Sequence, residues 1–483
     1  MNYNMIIYIL GNLMKVEGCL MIVPLFIAIA KTENAPMKAF IITIVILLGL
    51  GTILTSIKFK NKDIYAREGF VITALSWIVL SFFGAMPFYF SKTIPSFIDS
   101  FFETVSGFTT TGASILTVIE GLPLSILFWR SFTHWIGGMG VLVFLLAIIP
   151  MGGDRSMYIM KAEAPGPLVG KLVPKVKSTA KLLYLIYIFL TIAEMIFLIA
   201  GGMPLFDSIV SAFSTAGTGG YSIKNASIAA YNSAYIEYII AIFMMIFGIN
   251  FNLFYLLLMK DFINILKNEE LKYYLGIIIT ATVLITLNIA SMYDSIEQAF
   301  RNALFQVISL ITTTGFITAN FELWPEFSKT ILIVIVMIGA CGGSTGGGLK
   351  VSRLVIVLKM ITQELKRMVH PRSINIIKLD GMKIEQETVD SVTSFFVIYV
   401  FLIFGSFIII SIDNFDFTTS LTAVMTCVGN VGPGLGGVGP VENFSIFSPF
   451  VKMVLCMDML LGRLEIFPLV MLFSPAVWKK GFM

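Results

Sequence analysis

The chain has 483 residues, of which 57% are hydrophobic and only 13% charged, with a mean hydropathy of +0.90 and a formal net charge of +4. A soluble domain carries about a quarter charged residues, so this composition excludes an ordinary soluble globular protein and indicates a polytopic helical membrane protein. The charge placement gives topology. Of the 33 Lys and Arg residues, 23 fall at 58–67, 150–182, 260–272, 350–383 and 479–480, six in the alternate loops and four within spans. That bias marks the rich loops and both termini as cytoplasmic, and the basic residues are no argument for nucleic acid.

Two apolar segments open the chain, about 4–30 and 37–57, joined by Lys31-Thr32-Glu33-Asn34. The first lacks a small-residue cleavage site and leads straight into the second, so it reads as a span and not as a secretory signal. After the basic stretch 58–67 a unit begins that recurs four times: a span, a segment too short to span, a run rich in Thr or Gly, and a second span. The units use 68–91, 95–108 and 123–149, then 180–203, 205–214 and 234–259. They continue with 271–293, 295–311 and 328–368, and end with 386–412, 414–428 and 447–478. The expected divisions are two extra helices at 1–66 and repeats at 67–150, 151–260, 261–370 and 371–483. Residues 150–179, rich in Gly, Pro and basic side chains, read as an irregular cytoplasmic connector, and 350–385 as a longer cytoplasmic stretch.

The four runs are Phe108–Ser114, Ser214–Gly220, Ile311–Phe316 and Val428–Gly434. Each follows a short apolar segment read as a re-entrant half-helix, because a bilayer core about 30 Å thick needs about 20 residues to cross. Non-helical backbone at that depth must be buried in protein or line water, so four matching breaks point to one shared aqueous pore. A dehydrated cation needs oxygens in place of its hydration shell. Backbone carbonyls supply them, with glycine giving the freedom to turn those carbonyls inward. Asp99, Asp207, Asp294 and Asp416, near the starts of the short segments, read as helix caps.

Further motifs follow. Gly342-Gly343-Ser344-Thr345-Gly346-Gly347-Gly348-Leu349-Lys350 lies inside the span 328–368, where five glycines cannot sustain a helix, so the span is expected to break. The same run satisfies G-x-S-x-G, which makes an intramembrane serine hydrolase the formal rival. That chemistry needs a strand-turn-helix setting and a base, and only His134 and His370 are present. Gly432–Gly437 fits G-x-G-x-x-G but follows no strand. Arg463 sits within Met459–Phe467, read as the middle of the last helix, where a buried charge needs a partner or a cavity. Arg130 and His134 lie in Trp129–Gly140, where the Gly137-Gly138-Met139-Gly140 notch reads as close packing behind the Thr/Gly runs and His134 as structural. Cys19, Cys341, Cys427 and Cys456 show no pairing pattern and read as reduced packing residues.

On these motifs the chain resembles the Trk/Ktr/HKT superfamily of potassium transporters, and within it the Trk membrane subunit, because of the two extra N-terminal spans. The resemblance covers essentially the whole chain. It implies four membrane–pore–membrane repeats around one pore, in an all-α membrane protein. The filter would take Thr110, Thr111 and Gly112, then Gly217, Thr218 and Gly219, then Thr313, Thr314 and Gly315, and last Asn430, Val431 and Gly432. In plant relatives a serine at the first glycine accompanies sodium selectivity, so four glycines favour potassium. The resemblance assigns the gate to Gly342, Gly343, Ser344, Thr345, Gly346, Gly347, Gly348 and Lys350, with Arg463 nearby as a barrier to cations; the Lys350 side chain is long enough to snorkel to the interface instead. It further implies residence in the inner membrane, a homodimer, and a cytosolic ring of regulatory subunits that respond to NAD, ATP or ADP. No Walker A run is present in this chain, so no cofactor is expected in it and potassium is the transported ion. A sodium- or proton-coupled symporter is the alternative mechanism; the absence of paired intramembrane carboxylates favours a channel-like path.

Overall fold

A computed structural model describes residues 1–56, 65–140, 176–371 and 376–478. Most of the basic stretch 58–67, most of the connector 150–179 and Lys479-Lys480 therefore lie outside the described residues. Among those described, six helices are long and apolar enough to cross a membrane. A seventh span arises if Ala234–Phe247 and Phe251–Leu258, which meet at 91°, are taken together. The strands are two short pieces, Lys378–Leu379 and Met382–Lys383, paired antiparallel.

The N-terminal spans, Tyr3–Ala30 and Asn34–Thr55, cross at facing glycines. A Cβ on Gly51 would lie 2.8 Å from the Gly11 carbonyl oxygen, a small-residue contact of the kind that lets membrane helices approach closely. The turn between them is put to use: Glu33 accepts the amides of Leu124 and Ser125 at 2.7 and 3.1 Å. That carboxylate satisfies the orphan donors at the start of the helix Leu124–Gly138, whose own N-cap, Pro123, has no side-chain oxygen.

Each of the four units places a short pore helix between a leading and a trailing helix. The leading helices are Ala66–Gly84 (continued by Met86–Phe90), Val176–Ala200, Glu269–Ile289 and Gln386–Ile410. The pore helices are Phe97–Phe108, Leu205–Ala216, Ile296–Ile311 and Phe417–Gly429. Their starts differ from the expected acidic caps. Ser96 and Ser295 cap the first and third, accepting the amides of Asp99 and Gln298. Asp207 lies in the first turn of the second and accepts the Tyr231 hydroxyl at 2.8 Å. Only Asp416 is itself a cap. A serine one to three residues away does the same chemistry in two of the units, which frees the acids for other contacts; Asp99 pairs with Lys452 at 2.7 Å.

The trailing helices break more often than the sequence suggests. The expected break in the third occurs between Glu326–Ile338 and Val351–Val369. The second and fourth, expected to be continuous over 234–259 and 447–478, also break, at Gly248–Asn250 and at Leu464–Ile466. In the fourth, Glu465 and Ile466 take φ of +55° and +66°, so Arg463 ends its helix (Pro449–Arg463) and does not sit in the middle of one. The freed backbone groups of the second break are satisfied by the third. The Gly248 carbonyl accepts Cys341 N–H at 3.1 Å, and Phe251 N–H donates to Gly343 at 3.0 Å. Broken helices at this depth persist because they complete one another's hydrogen bonds.

Candidate ion pathway

All four pore helices end in the same way. One or two residues past the helix the chain takes a left-handed conformation: Thr110 (φ +55°), Thr218 (+53°), Thr313 (+58°) and Asn430 (+53°). That residue's amide bonds back three residues, to Gly107, Thr215, Leu310 and Cys427. The next amide bonds back five, to Ser106, Ser214, Ser309 and Thr426. This is the Schellman termination, here made without glycine at the left-handed position, where a β-branched residue is strained by about 1–2 kcal/mol. Two positions beyond each left-handed residue stands a glycine with positive φ: Gly112 (+79°), Gly220 (+74°), Gly315 (+83°) and Gly432 (+92°).

These bonds fix the register and correct one expectation. The counterpart of Gly112, Gly315 and Gly432 in the second unit is Gly220, and Gly219 matches Thr111, Thr314 and Val431. Gly219 is glycine for a different reason: a Cβ there would run into the imidazole of His134, which stacks on Tyr221 with centroids 4.0 Å apart. Two adjacent glycines with separate causes made the sequence ambiguous by one residue.

The four runs touch in a closed cycle. A Cβ on Gly112 would collide with the carbonyl oxygen of Gly219, one on Gly220 with that of Thr314, and one on Gly315 with that of Val431. A Cβ on Gly432 would lie 2.7 Å from the oxygen of Thr111, which returns the cycle to the first unit. Each glycine thus leaves room for the neighbouring run's carbonyl. On one side the ring opens into a cavity of about 100 Å³ lined by all four glycines together with Asn225 and Glu442.

Buried side chains hold the ring from behind. Glu103 accepts Arg130 Nε at 2.6 Å, the Ser114 hydroxyl at 3.0 Å and Ile115 N–H at 3.0 Å. Arg130 also donates to the Ser222 carbonyl at 3.0 Å and lies 3.5 Å from the Tyr221 ring centroid. The pair therefore ties the segment after the first run to the segment after the second. Glu103 was not singled out in the sequence, where an acid inside an apolar pore helix was its one signal. Gly137 and Gly138 form a close-packed notch: a Cβ on Gly137 would meet the Phe108 carbonyl, and one on Gly138 the Cα of Gly217.

At the start of the fourth short helix, Asp416 is held by the Thr419 hydroxyl and amide, which keep its carboxyl below the usual carboxylate range.

Under the ring lies the broken segment 339–350. Gly347 N–H donates to the Thr313 hydroxyl at 2.7 Å, and a Cβ on Gly346 would sit 2.9 Å from the Thr312 carbonyl. Thr345 donates to the Phe247 carbonyl through its hydroxyl (3.2 Å), and its own carbonyl accepts Arg463 Nη1 at 2.8 Å. The other Arg463 nitrogen donates to the carbonyls of Gly137 and Gly138 at 2.6 and 2.7 Å. One guanidinium thus joins the third unit's segment to the C-terminal end of the first unit's helix, where the helix dipole favours a cation. Lys350 does not snorkel. It is buried, with φ +76°, and its ammonium turns back to the Gly346 carbonyl. Ser344 lies in a helix–loop–helix setting and donates to the Cys341 carbonyl at 2.6 Å, so the strand-turn-helix setting of a nucleophile is not present at this serine. Glu270, an acid that no local motif marks, accepts the amides of Gly342 and Ser352 at 2.6 and 2.9 Å.

Comparison with known proteins gives the family and the fold. Residues 36–480 match the TrkH family, described as "Cation transport protein". The chain is 39% identical to the Trk system potassium uptake protein TrkH of Salmonella typhimurium over 99% of its own length and all of that protein. It is 31% identical to the Trk system potassium uptake protein TrkG of Escherichia coli, over 97% of each chain. Its fold matches the crystal structure of the potassium transporter TrkH from Vibrio parahaemolyticus with a TM-score of 0.89 at 34% identity, covering 99% of this chain and 100% of that one.

Proposed function

The chain belongs to the TrkH family of cation transport proteins, and from that premise we propose how it takes up potassium: through the ring of four runs, gated from below by the segment 339–350. The observation that carries this reading is the closed cycle of glycine-to-carbonyl contacts, Gly112 to Gly219, Gly220 to Thr314, Gly315 to Val431 and Gly432 to Thr111. Those carbonyls are the oxygens that replace the ion's water. The layer below them is formed by the carbonyls at Thr110, Thr218, Thr313 and Asn430, and Gly217 supports the second run.

The gate is Gly342–Gly348 with Lys350 and Arg463. Its polar groups are tied to Thr313, Phe247 and the first unit's Gly137 and Gly138, and the Arg463 guanidinium stands within it. Fixed positive charge beneath a cation filter opposes the passage of a desolvated cation. The arrangement is a closed state, and opening requires the segment to leave Thr313 and Arg463.

The protein works as a multi-span transporter with both termini in the cytoplasm, in the cell's inner membrane. It acts as a homodimer with a cytosolic, nucleotide-binding regulatory ring that shifts the gate. No step in this path calls for a catalytic serine or a bound cofactor.

The test is potassium and sodium flux into liposomes, with and without an opposing sodium or proton gradient. Potassium flux that needs no second ion is expected. Flux that stops without the second ion would replace the channel-like path with symport. Deleting Gly346–Gly348 is expected to raise unregulated flux while the potassium preference stays.

A further inference from the structure

We propose that Glu270 is the positioning residue that holds the segment 339–350 across the ion path, an inference that rests on reading that segment as the gate. Glu270 is the second residue of the helix Glu269–Ile289 and is 5% exposed. A single oxygen, Oε1, accepts the amides of both Gly342 and Ser352. These amides lie on either side of the Gly343–Val351 stretch, so one carboxylate pins the stretch at both ends.

The reason lies in a missing cap. The helix Val351–Val369 starts at Lys350, whose side chain has no oxygen to offer the first-turn amides. An uncapped helix start buried in protein leaves donors unpaired and the positive end of the dipole uncompensated. Glu270 supplies both the acceptor and the negative charge from another helix. A charge-assisted bond of this kind is stronger than a neutral one.

The start of the helix that carries Glu270 is tied to the cytoplasmic surface. Asp380, in the turn between the two short strands, accepts the amide of Glu269 at 2.7 Å and the Asn268 side-chain amide at 2.9 Å. Glu269 pairs with Lys359 on the helix that leaves the gate. Glu270 therefore sits one residue from a contact that reaches the 378–383 hairpin, and a force on that hairpin bears on the carboxylate that fixes the gate.

The experiment uses the full-length protein in liposomes with two readouts. The first is basal potassium flux together with the potassium-to-sodium ratio. The second is modification of Cys341, buried inside the segment, by N-ethylmaleimide, located by mass spectrometry of peptides. Glu270→Ala is expected to raise both basal flux and Cys341 modification on the order of tenfold, with the ion ratio unchanged. Glu270→Gln keeps an oxygen for both amides and is expected to change each by no more than about threefold. Should Glu270→Ala not yield folded protein, Ser352→Pro removes one of the two donors in a first turn that tolerates proline, and a rise in Cys341 modification is expected there too. Unchanged Cys341 modification in Glu270→Ala, or in Ser352→Pro where that variant stands in, would overturn the proposal. Raised modification with unchanged flux would support Glu270 as the anchor and overturn the gate reading alone.

Discussion

The carbonyl ring and the layer beneath it are built on opposite plans. In the ring, four runs from four units use one backbone device, a left-handed residue followed two positions later by a glycine, and each touches the next in a cycle. In the layer beneath, the units are unequal. The third contributes the long segment 339–350, the fourth a single arginine, the second a bend that receives the segment, and the first two carbonyls that receive the arginine. The ring needs equivalence, because an ion on its axis must meet equal oxygens. A gate needs one element that moves against others that stay, and the asymmetry supplies it. On the proposed reading, selection and gating are carried by different residues and should be separable by mutation.

The sharpest way to break the ring alone is Gly220→Ala. The methyl would collide with the Thr314 carbonyl and must adopt a φ near +74°, so the potassium-to-sodium flux ratio should fall at least about tenfold. Gly219→Ala next door should fall for a different reason, contact with His134. The double variant Gly219→Ala with His134→Ala should recover much of the ratio, whereas His134→Ala should not rescue Gly220→Ala. Equal rescue of both would reverse the register assigned to the second unit.

To break the layer beneath alone, Arg463→Gln removes the charge and most of the three donations to Thr345, Gly137 and Gly138. Basal flux should rise about tenfold with the ion ratio intact, since each charge-assisted bond contributes roughly 1.5–3 kcal/mol. Thr313 is the point where the two plans meet. Thr313→Val keeps the β-branched shape at the left-handed position but loses the Gly347 amide, and flux should rise about three- to fivefold, the effect of one ordinary hydrogen bond of about 1 kcal/mol. The smallest effect belongs to Ser344→Ala, which removes only a bond to Cys341 within the same loop; flux should stay within about twofold. Loss of transport in this last variant would return attention to the serine.

Much of this division was legible in the amino-acid sequence because the ring depends on local signals. Glycine after threonine, behind a segment too short to span, is readable three times over, and the fourth run, Asn430-Val431-Gly432, keeps the glycine without the threonine. The register slip at Gly219 shows the limit: steric space for His134 and a left-handed backbone both select glycine, and composition does not distinguish them. The break at Gly342–Gly348 was readable from its glycines, but those at Gly248–Asn250 and Leu464–Ile466 were not. Their cost is offset by hydrogen bonds and packing from distant parts of the chain, and a single glycine in an apolar span is common in membrane helices. The Lys350 side chain has the length to reach the interface, and nothing local in the sequence shows that the Gly346 carbonyl faces it. Glu103 and Glu270 were missed for the same reason, since their partners lie in segments distant in the chain or reached only through the fold.

If the glycine ring selects the ion, Gly112→Ser should remove the selection. A hydroxymethyl group at Gly112 would displace the Gly219 carbonyl from the ring. The measurement is the potassium-to-sodium flux ratio of this variant in liposomes, against the unaltered protein. A fall of about tenfold or more, with sodium now carried, is the result predicted. An unchanged ratio in folded protein that still transports would contradict it.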